Sequence, residues 1–116
     1  MTYKELNNMV AEIGLPYAYY EFPKDTEQAP PFVCFLLPSS EDFAADNRNY
    51  QRMRPCRIEL YTDNKDFDLE QAVEYVLNAH DLFYRRAEGY LDSEQMNMVA
   101  YDFVIVVTDE RRNINA

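Results

Sequence analysis

Four carboxylates have the spacing in this chain that best suits a metal ion, namely those of Asp63, Asp66, Asp68 and Glu70. The set lacks the glycine and the closing glutamate of a calcium-binding loop. Carboxylates are also favourable in the first turn of any helix, because its N-terminus carries partial positive charge. We therefore predict that Asp66 or Asp68 caps a helix, with Gln71 completing a capping box if Asp68 is the cap. No metal site is predicted.

His80 is the only imidazole of the chain and so the only histidine that could act as a general base. It stands near the predicted C-terminal end of a helix, where a cationic side chain is favoured by the helix dipole. Catalysis by a Cys–His pair requires hydrogen-bond contact, and nothing in the sequence brings Cys34 or Cys56 to it. We predict that both cysteines are buried free thiols. Two glycines are too few for a phosphate-binding loop, so no catalytic residue and no cofactor is predicted.

The stretch from Arg52 to His80 must position these residues, and its hydrophobic period changes from that of a strand to that of a helix. In the first part, Cys56, Ile58 and Leu60 alternate with polar residues, which indicates a strand with one apolar face. The second part has apolar residues at helical spacing, namely Leu69, Val73, Val76 and Leu77. Both elements need a covering layer on one side.

The N-terminal third predicts one helix and two strands. Thr2 and Glu5 have the spacing of a capping box, and Gly14 ends the helix. An aromatic strand over Tyr17–Phe22 is followed by the apolar run Phe32–Leu37, which is predicted to be a strand covered on both faces. Residues 43–45, which are Phe-Ala-Ala, are predicted to form a short strand or an exposed anchor.

The C-terminal third predicts a hairpin. A segment over Leu82–Tyr90 is joined by a turn at Leu91–Gln95 to a long strand over Met96–Thr108. One face of the long strand carries Val99, Tyr101, Phe103, Ile105 and Val107. Its second half is apolar on both faces, since Val104 and Val106 lie opposite, and is therefore predicted to be central in the sheet.

The predicted order is α-β-β-β-α-β-β, in which loops rather than helices join most strands. This order predicts an α+β fold, with a mainly antiparallel sheet and two helices packed on one face. Residues 1–116 are expected to form a single domain, with 109–116 as a flexible C-terminal arm.

Charge and hydropathy exclude several classes of partner. Eleven Lys and Arg against 21 Asp and Glu give a net charge of −10, so the average surface repels polyanions and no sequence-specific nucleic-acid binding is expected. The first residues lack a charged and apolar leader, and no segment approaches the roughly 20 apolar residues of a membrane span. We expect a protein made and folded in the cytosol, with no membrane partner.

Several segments in combination are similar to the small tail-terminator or tail-completion (head–tail joining) proteins of long-tailed bacteriophages and prophages. They are LPYAYYEFP, the apolar strand that begins PPF, the loop FAADNRNY, and RIELYTDNKDFDLEQAVEYVL before a closing apolar strand. The resemblance implies a structural virion protein without enzymatic role, made in the bacterial host cytoplasm. It also implies a homo-oligomeric ring, commonly a hexamer, that terminates the tail tube and joins it to the head connector. Because the family has no catalytic residues, the resemblance assigns none to this chain.

A subunit or tube interface is predicted in the loop from Phe43 to Tyr50 and the basic strand entry that follows it. The residues assigned to this interface are Phe43, Asn47, Arg48, Tyr50, Arg52 and Arg54. The arginines are candidates for pairing with a neighbour's acidic surface, which would assist orientation. A solvated hairpin connection is the alternative interpretation of the loop.

Two other classes of function stay open. Ten Tyr and seven Phe would suit a small non-enzymatic binding module that uses a Tyr-rich sheet. A small enzyme is the least favoured hypothesis, because no convergent polar constellation is evident.

Overall fold

The computed structural model describes residues 1–39, 41–42 and 52–108. Its elements are α1 (Tyr3–Ala11), β1 (Tyr17–Tyr19), β2 (Phe32–Leu36), β3 (Glu41–Asp42), β4 (Arg52–Thr62), α2 (Phe67–Ala79), β5 (Tyr84–Leu91) and β6 (Met96–Val107). The predicted order is confirmed, with the two-residue β3 in addition. The predictions for residues 43–45 and for the arm at 109–116 lie outside the described residues.

The strands form one sheet in the order β1-β2-β4-β6-β5, and β3 pairs with the start of β4. β1 and β2 are parallel, whereas the other pairings are antiparallel. The α+β class with a mainly antiparallel sheet is therefore confirmed. β1 ends at Tyr19, earlier than predicted, because Tyr20 has a positive φ of 69°, which lies outside the extended conformation of a strand.

Both helices begin at caps that the sequence predicts. Thr2 Oγ1 accepts from the Glu5 N–H at 3.0 Å, and the Thr2 N–H donates to Glu5 Oε1 at 2.9 Å, which completes the capping box of α1. Of the two candidates for α2, Asp66 is the cap, and its Oδ1 accepts from the Leu69 N–H at 3.1 Å. Gly14 follows α1 with φ of 87°, a conformation that favours glycine.

A single apolar core lies between the helices and one face of the sheet. Cys56, Ile58 and Leu60 of β4 face the same side as the buried residues of both helices, as the sequence predicts. The members of this core from the helices and from β6 are Leu6, Met9, Val10, Val73, Val76, Leu77, Val99, Tyr101, Phe103, Ile105 and Val107. Burying each aliphatic side chain contributes about 1.5–3 kcal/mol. Both helices therefore pack on one face.

β6 lies between β4 and β5, as predicted for a central strand, but the outer face of its second half is exposed. Val104 and Val106 are 46% and 41% exposed. The reason is that β5 begins only at Tyr84, opposite Phe103. Beyond that point, β6 pairs with β4 alone among the described strands, and neither of the described helices covers its outer face.

A charged network joins α2 to β5 at the rim of the core. Glu70 is 4% exposed and accepts a hydrogen bond from Arg86, and its Oε2 lies 2.8 Å from Lys65 Nζ. The hydrogen bond to Glu70 raises the pKa of Arg86. The Tyr101 hydroxyl donates to Glu74 Oε2 at 2.9 Å. Glu70, a member of the carboxylate set considered for metal, is thus held by two cations of the fold.

Removing Arg86 should destabilise the domain through the charge that it leaves behind. In Arg86→Met, Glu70 stays buried with Lys65 as its remaining cation. We expect the free energy of unfolding to fall by about 2–3 kcal/mol, because an incompletely paired buried charge is costly. Denaturant unfolding followed by circular dichroism measures the change.

Arg85→Met is the matched control on the same strand. Arg85 is exposed and lies opposite Asp102 in the register, so it is on the other face of β5 from Arg86. Its replacement should change stability by no more than about 0.5 kcal/mol. Equal losses in the two variants would contradict the assigned role of the network.

Candidate assembly interface

Of the six residues predicted to form an interface, Arg52 and Arg54 belong to the described part of the chain. Phe43, Asn47, Arg48 and Tyr50 lie outside it, and their assignment stays a prediction. Arg52 and Arg54 stand at the start of β4, opposite Val107 and Ile105 of β6. Both are partly exposed.

The two arginines lie on the helix-bearing side of the sheet. They alternate in step with Cys56, which faces the core, because successive strand residues point to opposite faces. Arg54 Nη1 also donates to the Met53 carbonyl at 3.4 Å. The N-terminus lies at the same end of the sheet, where the Met1 amino group donates to the Val106 carbonyl at 2.8 Å.

A groove of about 460 Å³ lies on the opposite face, which neither described helix covers, near the other end of β4. It is bounded by the segment after β1, by β2 and β4, and by the hairpin between β5 and β6. Its described lining residues are Tyr20, Glu21, Phe22, Thr26, Gln28, Phe32, Cys34, Leu36, Glu59, Tyr61, Leu91, Glu94 and Met96. This concavity is called the open-face groove, and the sequence reasoning did not identify it.

Three aromatic rings form one side of the open-face groove. Phe32 and Tyr61 are paired across β2 and β4, and their rings stack with centroids 4.9 Å apart. Phe22 meets Phe32 edge to face at 5.3 Å. Such contacts add about 0.5–1.5 kcal/mol each beyond burial, so they hold the segment after β1 against the sheet.

Carboxylates dominate the charge of the groove. Glu21 and Glu94 are exposed at its edges, whereas the Glu59 side chain is only 15% exposed. Tyr61 donates its hydroxyl hydrogen to Glu59 Oε1 at 2.8 Å. Burial, followed by the interaction with Glu59, raises the pKa of Tyr61, so its phenol stays neutral. None of the described lining residues is Lys or Arg.

Arg57 stands beside the groove but is engaged by another carboxylate. Its Nε and Nη2 donate to the two oxygens of Asp102 at 2.8 and 3.2 Å, a bidentate cross-strand pair that raises the pKa of Arg57. Its Nη1 is 3.9 Å from Glu59 Oε2, at the outer limit of an ion pair. Arg57 therefore leaves most of the negative charge of the groove uncompensated.

Cys34 and Cys56 are both buried free thiols, as predicted. They lie on opposite faces of the sheet, because Cys34 lines the groove and Cys56 belongs to the core. Burial raises the pKa of Cys34 to about 11 and that of Cys56 to about 12. Neither thiol is therefore activated as a nucleophile near neutral pH.

His80 and the acidic turn before α2 have structural roles. His80 caps the end of α2, and its Nε2 lies 2.9 Å from Glu12 Oε2 at the end of α1. Within residues 1–39, 41–42 and 52–108, no group of three His, Cys, Asp or Glu side chains is arranged to hold a metal ion. Among the helices that are described, none is long and apolar enough to cross a membrane.

The comparisons with known proteins match the fold. A solved chain from the "virion of native gene transfer agent (GTA) particle" superposes with a TM-score of 0.59, at 16% sequence identity, over 90% of this chain and 90% of that one. A scan of protein-family models gives no match, and neither does a search of the curated proteins. At this identity, the likeness to the virion chain is one of fold.

The burial of the thiols makes a kinetic prediction. With a pKa of about 11, Cys34 has roughly 100-fold less thiolate at pH 8 than a thiol with the ordinary value of 9.0. We therefore expect the native protein to react with a disulfide reagent at least roughly 100-fold more slowly than the protein unfolded in denaturant. Absorbance of the released thiol follows the reaction.

Single Cys34→Ser and Cys56→Ser variants assign any reaction to one thiol. Cys34 should react faster than Cys56, since it lines a groove and has the lower of the two pKa values. A thiol that reacts in the native protein at the unfolded rate would contradict the placement of that cysteine.

Proposed function

We propose that this protein is a structural component of a phage-like virion that acts at the head–tail junction. In this role it forms a ring, commonly a hexamer, that terminates the tail tube and joins it to the head connector. The observation that carries the proposal is the fold likeness to a chain of a gene transfer agent virion, which extends over 90% of both chains. Most of each chain takes part, so the likeness is more than a shared motif.

Two features of the chain support the same role. The segments that resemble tail-completion proteins include the second half of β4, the turn after it and α2 as far as Leu77. The residues best suited to chemistry are used by the fold: Glu70 pairs with Arg86, His80 lies against Glu12, and Cys34 has a raised pKa. A non-enzymatic assembly role does not require any of these side chains to be reactive.

The acidic balance suits a ring around a DNA channel. Carboxylates presented to a channel would repel the phosphate backbone and let DNA slide rather than adhere. The net charge of −10 supplies an excess of such groups in every subunit. The arginines at 48, 52 and 54 are the residues predicted to pair with the acidic surface of a neighbouring subunit, which would assist orientation.

A non-enzymatic binding module is the second candidate, and the open-face groove favours it. The stacked rings of Phe32 and Tyr61, with carboxylates at the edges, would suit a cationic ligand. Wild-type protein that binds a basic peptide and never enters a particle would favour this candidate over the virion role.

Deleting the gene from its phage or phage-like particle tests the virion role. We expect filled heads that lack tails and free tails of irregular length, because the tube would be neither terminated nor joined. Electron microscopy of the particles measures both defects. The wild-type gene supplied in trans should correct both and restore joined particles. Normal joined particles after deletion would overturn the proposal.

The predicted arginine pairing is tested in the same complementation assay. Arg48→Glu with Arg52→Glu should reduce joining, because like charges would face the neighbouring subunit. Lys4→Glu with Lys24→Glu, at exposed positions, makes the same change in net charge and should restore joined particles. If reversal at Arg48 and Arg52 altered neither oligomer size nor joining, the pairing would be discarded.

A further inference from the structure

β5 is an edge strand of the sheet, and one of its two edges has no partner among the described strands. Its eight residues, Tyr84–Leu91, pair with β6 along the other edge. The strand at the opposite end of the sheet, β1, has only three residues. A long strand edge offers a row of N–H and C=O groups to another strand, and β5 contains no proline that would remove a donor.

The hydrogen bonds of Met1 establish which residues of β6 direct their backbone groups toward β5. The Met1 amino group donates to the Val106 carbonyl at 2.8 Å, and the Met1 carbonyl accepts from the Thr108 N–H at 2.9 Å. β4 occupies the other edge of β6, so these groups point away from β4. Because backbone groups alternate between the two edges of a strand, the even-numbered residues of β6 face the β5 side.

The same alternation identifies the outward backbone groups of β5. Odd-numbered residues of β5 lie opposite even-numbered residues of β6, as Ala87 lies opposite Ala100. The odd-numbered residues therefore exchange hydrogen bonds with β6. The even-numbered residues direct their N–H and C=O groups to the unpaired edge, and they are Tyr84, Arg86, Glu88 and Tyr90.

A second copy of β5 can pair with this edge in antiparallel orientation about a two-fold axis. The hydrogen-bonded pairs must then join even-numbered residues of the two copies. With the axis at Ala87, Arg86 of each copy lies opposite Glu88 of the other. Tyr84 likewise lies opposite Tyr90. The pairing supplies about eight backbone hydrogen bonds, two for each bonded pair.

The charges of β5 select this register over its neighbours. Moving the axis to Arg86 would place that arginine opposite itself, and moving it to Glu88 would do the same for the glutamate. Like charges directly opposite each other destabilise a strand pair. Both side chains already have partners in their own chain, at Glu70 and Lys65. The contact is therefore carried by backbone groups, and the charges serve to choose its register.

We propose that two copies of this chain associate through their β5 strands, antiparallel about a two-fold axis at Ala87, so that their sheets join into one. Strand addition of this kind derives its affinity from main-chain hydrogen bonds. The contact is isologous and closes with two copies. It goes beyond the proposed ring and does not depend on it.

An Ala87→Cys variant of the full chain tests the position of the axis. Its two introduced cysteines would form a non-hydrogen-bonded pair with Cα atoms about 4.5 Å apart, within the range of a disulfide. Oxidised glutathione should therefore yield a linked dimer on a non-reducing gel. Arg85→Cys is the matched control on the same face, since its two copies would lie about 13 Å apart along the strands and should stay unlinked. Wild-type protein, whose Cys34 and Cys56 are buried, gives the background.

A Tyr90→Pro variant tests the backbone contact. The Tyr90 N–H points to the unpaired edge, so proline there leaves the ladder with β6 intact. We expect the affinity of self-association to fall roughly 30-fold, because each dimer loses two hydrogen bonds. Analytical ultracentrifugation measures the change. Tyr90→Ala, which removes the ring and keeps the N–H, should weaken association less.

Gly89→Pro is the control for the direction of the backbone groups. The Gly89 N–H is directed to β6, so proline at this position removes a hydrogen bond of the sheet itself. Its thermal unfolding temperature should therefore fall below that of Tyr90→Pro. Circular dichroism of both variants measures the difference and establishes that Tyr90→Pro is folded before its association is measured.

Three results would overturn the inference. They are wild-type protein that stays monomeric at its highest soluble concentration, a dimer that links through Arg85→Cys as readily as through Ala87→Cys, and folded Tyr90→Pro that associates as the wild type does. The cross-link tests the contact even if Tyr90→Pro does not fold. Deletion and electron microscopy measure the virion role separately, so either proposal can fail without the other.

Discussion

The antiparallel register between β4 and β6 is the constraint on which the rest of the structure depends. Eleven consecutive pairs, from Arg52 opposite Val107 to Thr62 opposite Asn97, run the length of the domain. A slip of one residue would turn every buried side chain of β4 to the open face. Pro55 is accommodated within this pairing, because the described partners on its other edge, β2 and β3, end at Arg57 and Met53. This register therefore determines which residues lie on each face of the sheet and which lie at each end.

The same register separates a closed face from an open one. On the helix side, the core is sealed at its rim by Glu70, Arg86 and Lys65, where each charge has a partner within the fold. On the open side, the Arg57–Asp102 pair bridges β4 and β6, and the carboxylates of the groove lack comparable cations among the described residues. A buried charge network stabilises poorly compared with apolar packing, yet it fixes how α2 sits on β5. Among the described residues, the open face carries no comparable network.

Much of the fold follows from local pattern, whereas the groove depends on long-range pairing. Thr2, Asp66 and Gly14 mark helix ends through backbone chemistry that acts within a few residues. The alternation of β4 likewise identifies its buried face. The groove arises because Phe32 meets Tyr61, residues far apart in sequence whose pairing no local period reveals. The exposure of Val104 has the same origin, since it depends on where β5 begins rather than on the composition of β6.

The distribution of charge argues against a two-fold contact through the groove. In an isologous interface the same patch meets itself, so the three carboxylates of one groove would face those of the other. Like charges brought together in this way cost several kcal/mol.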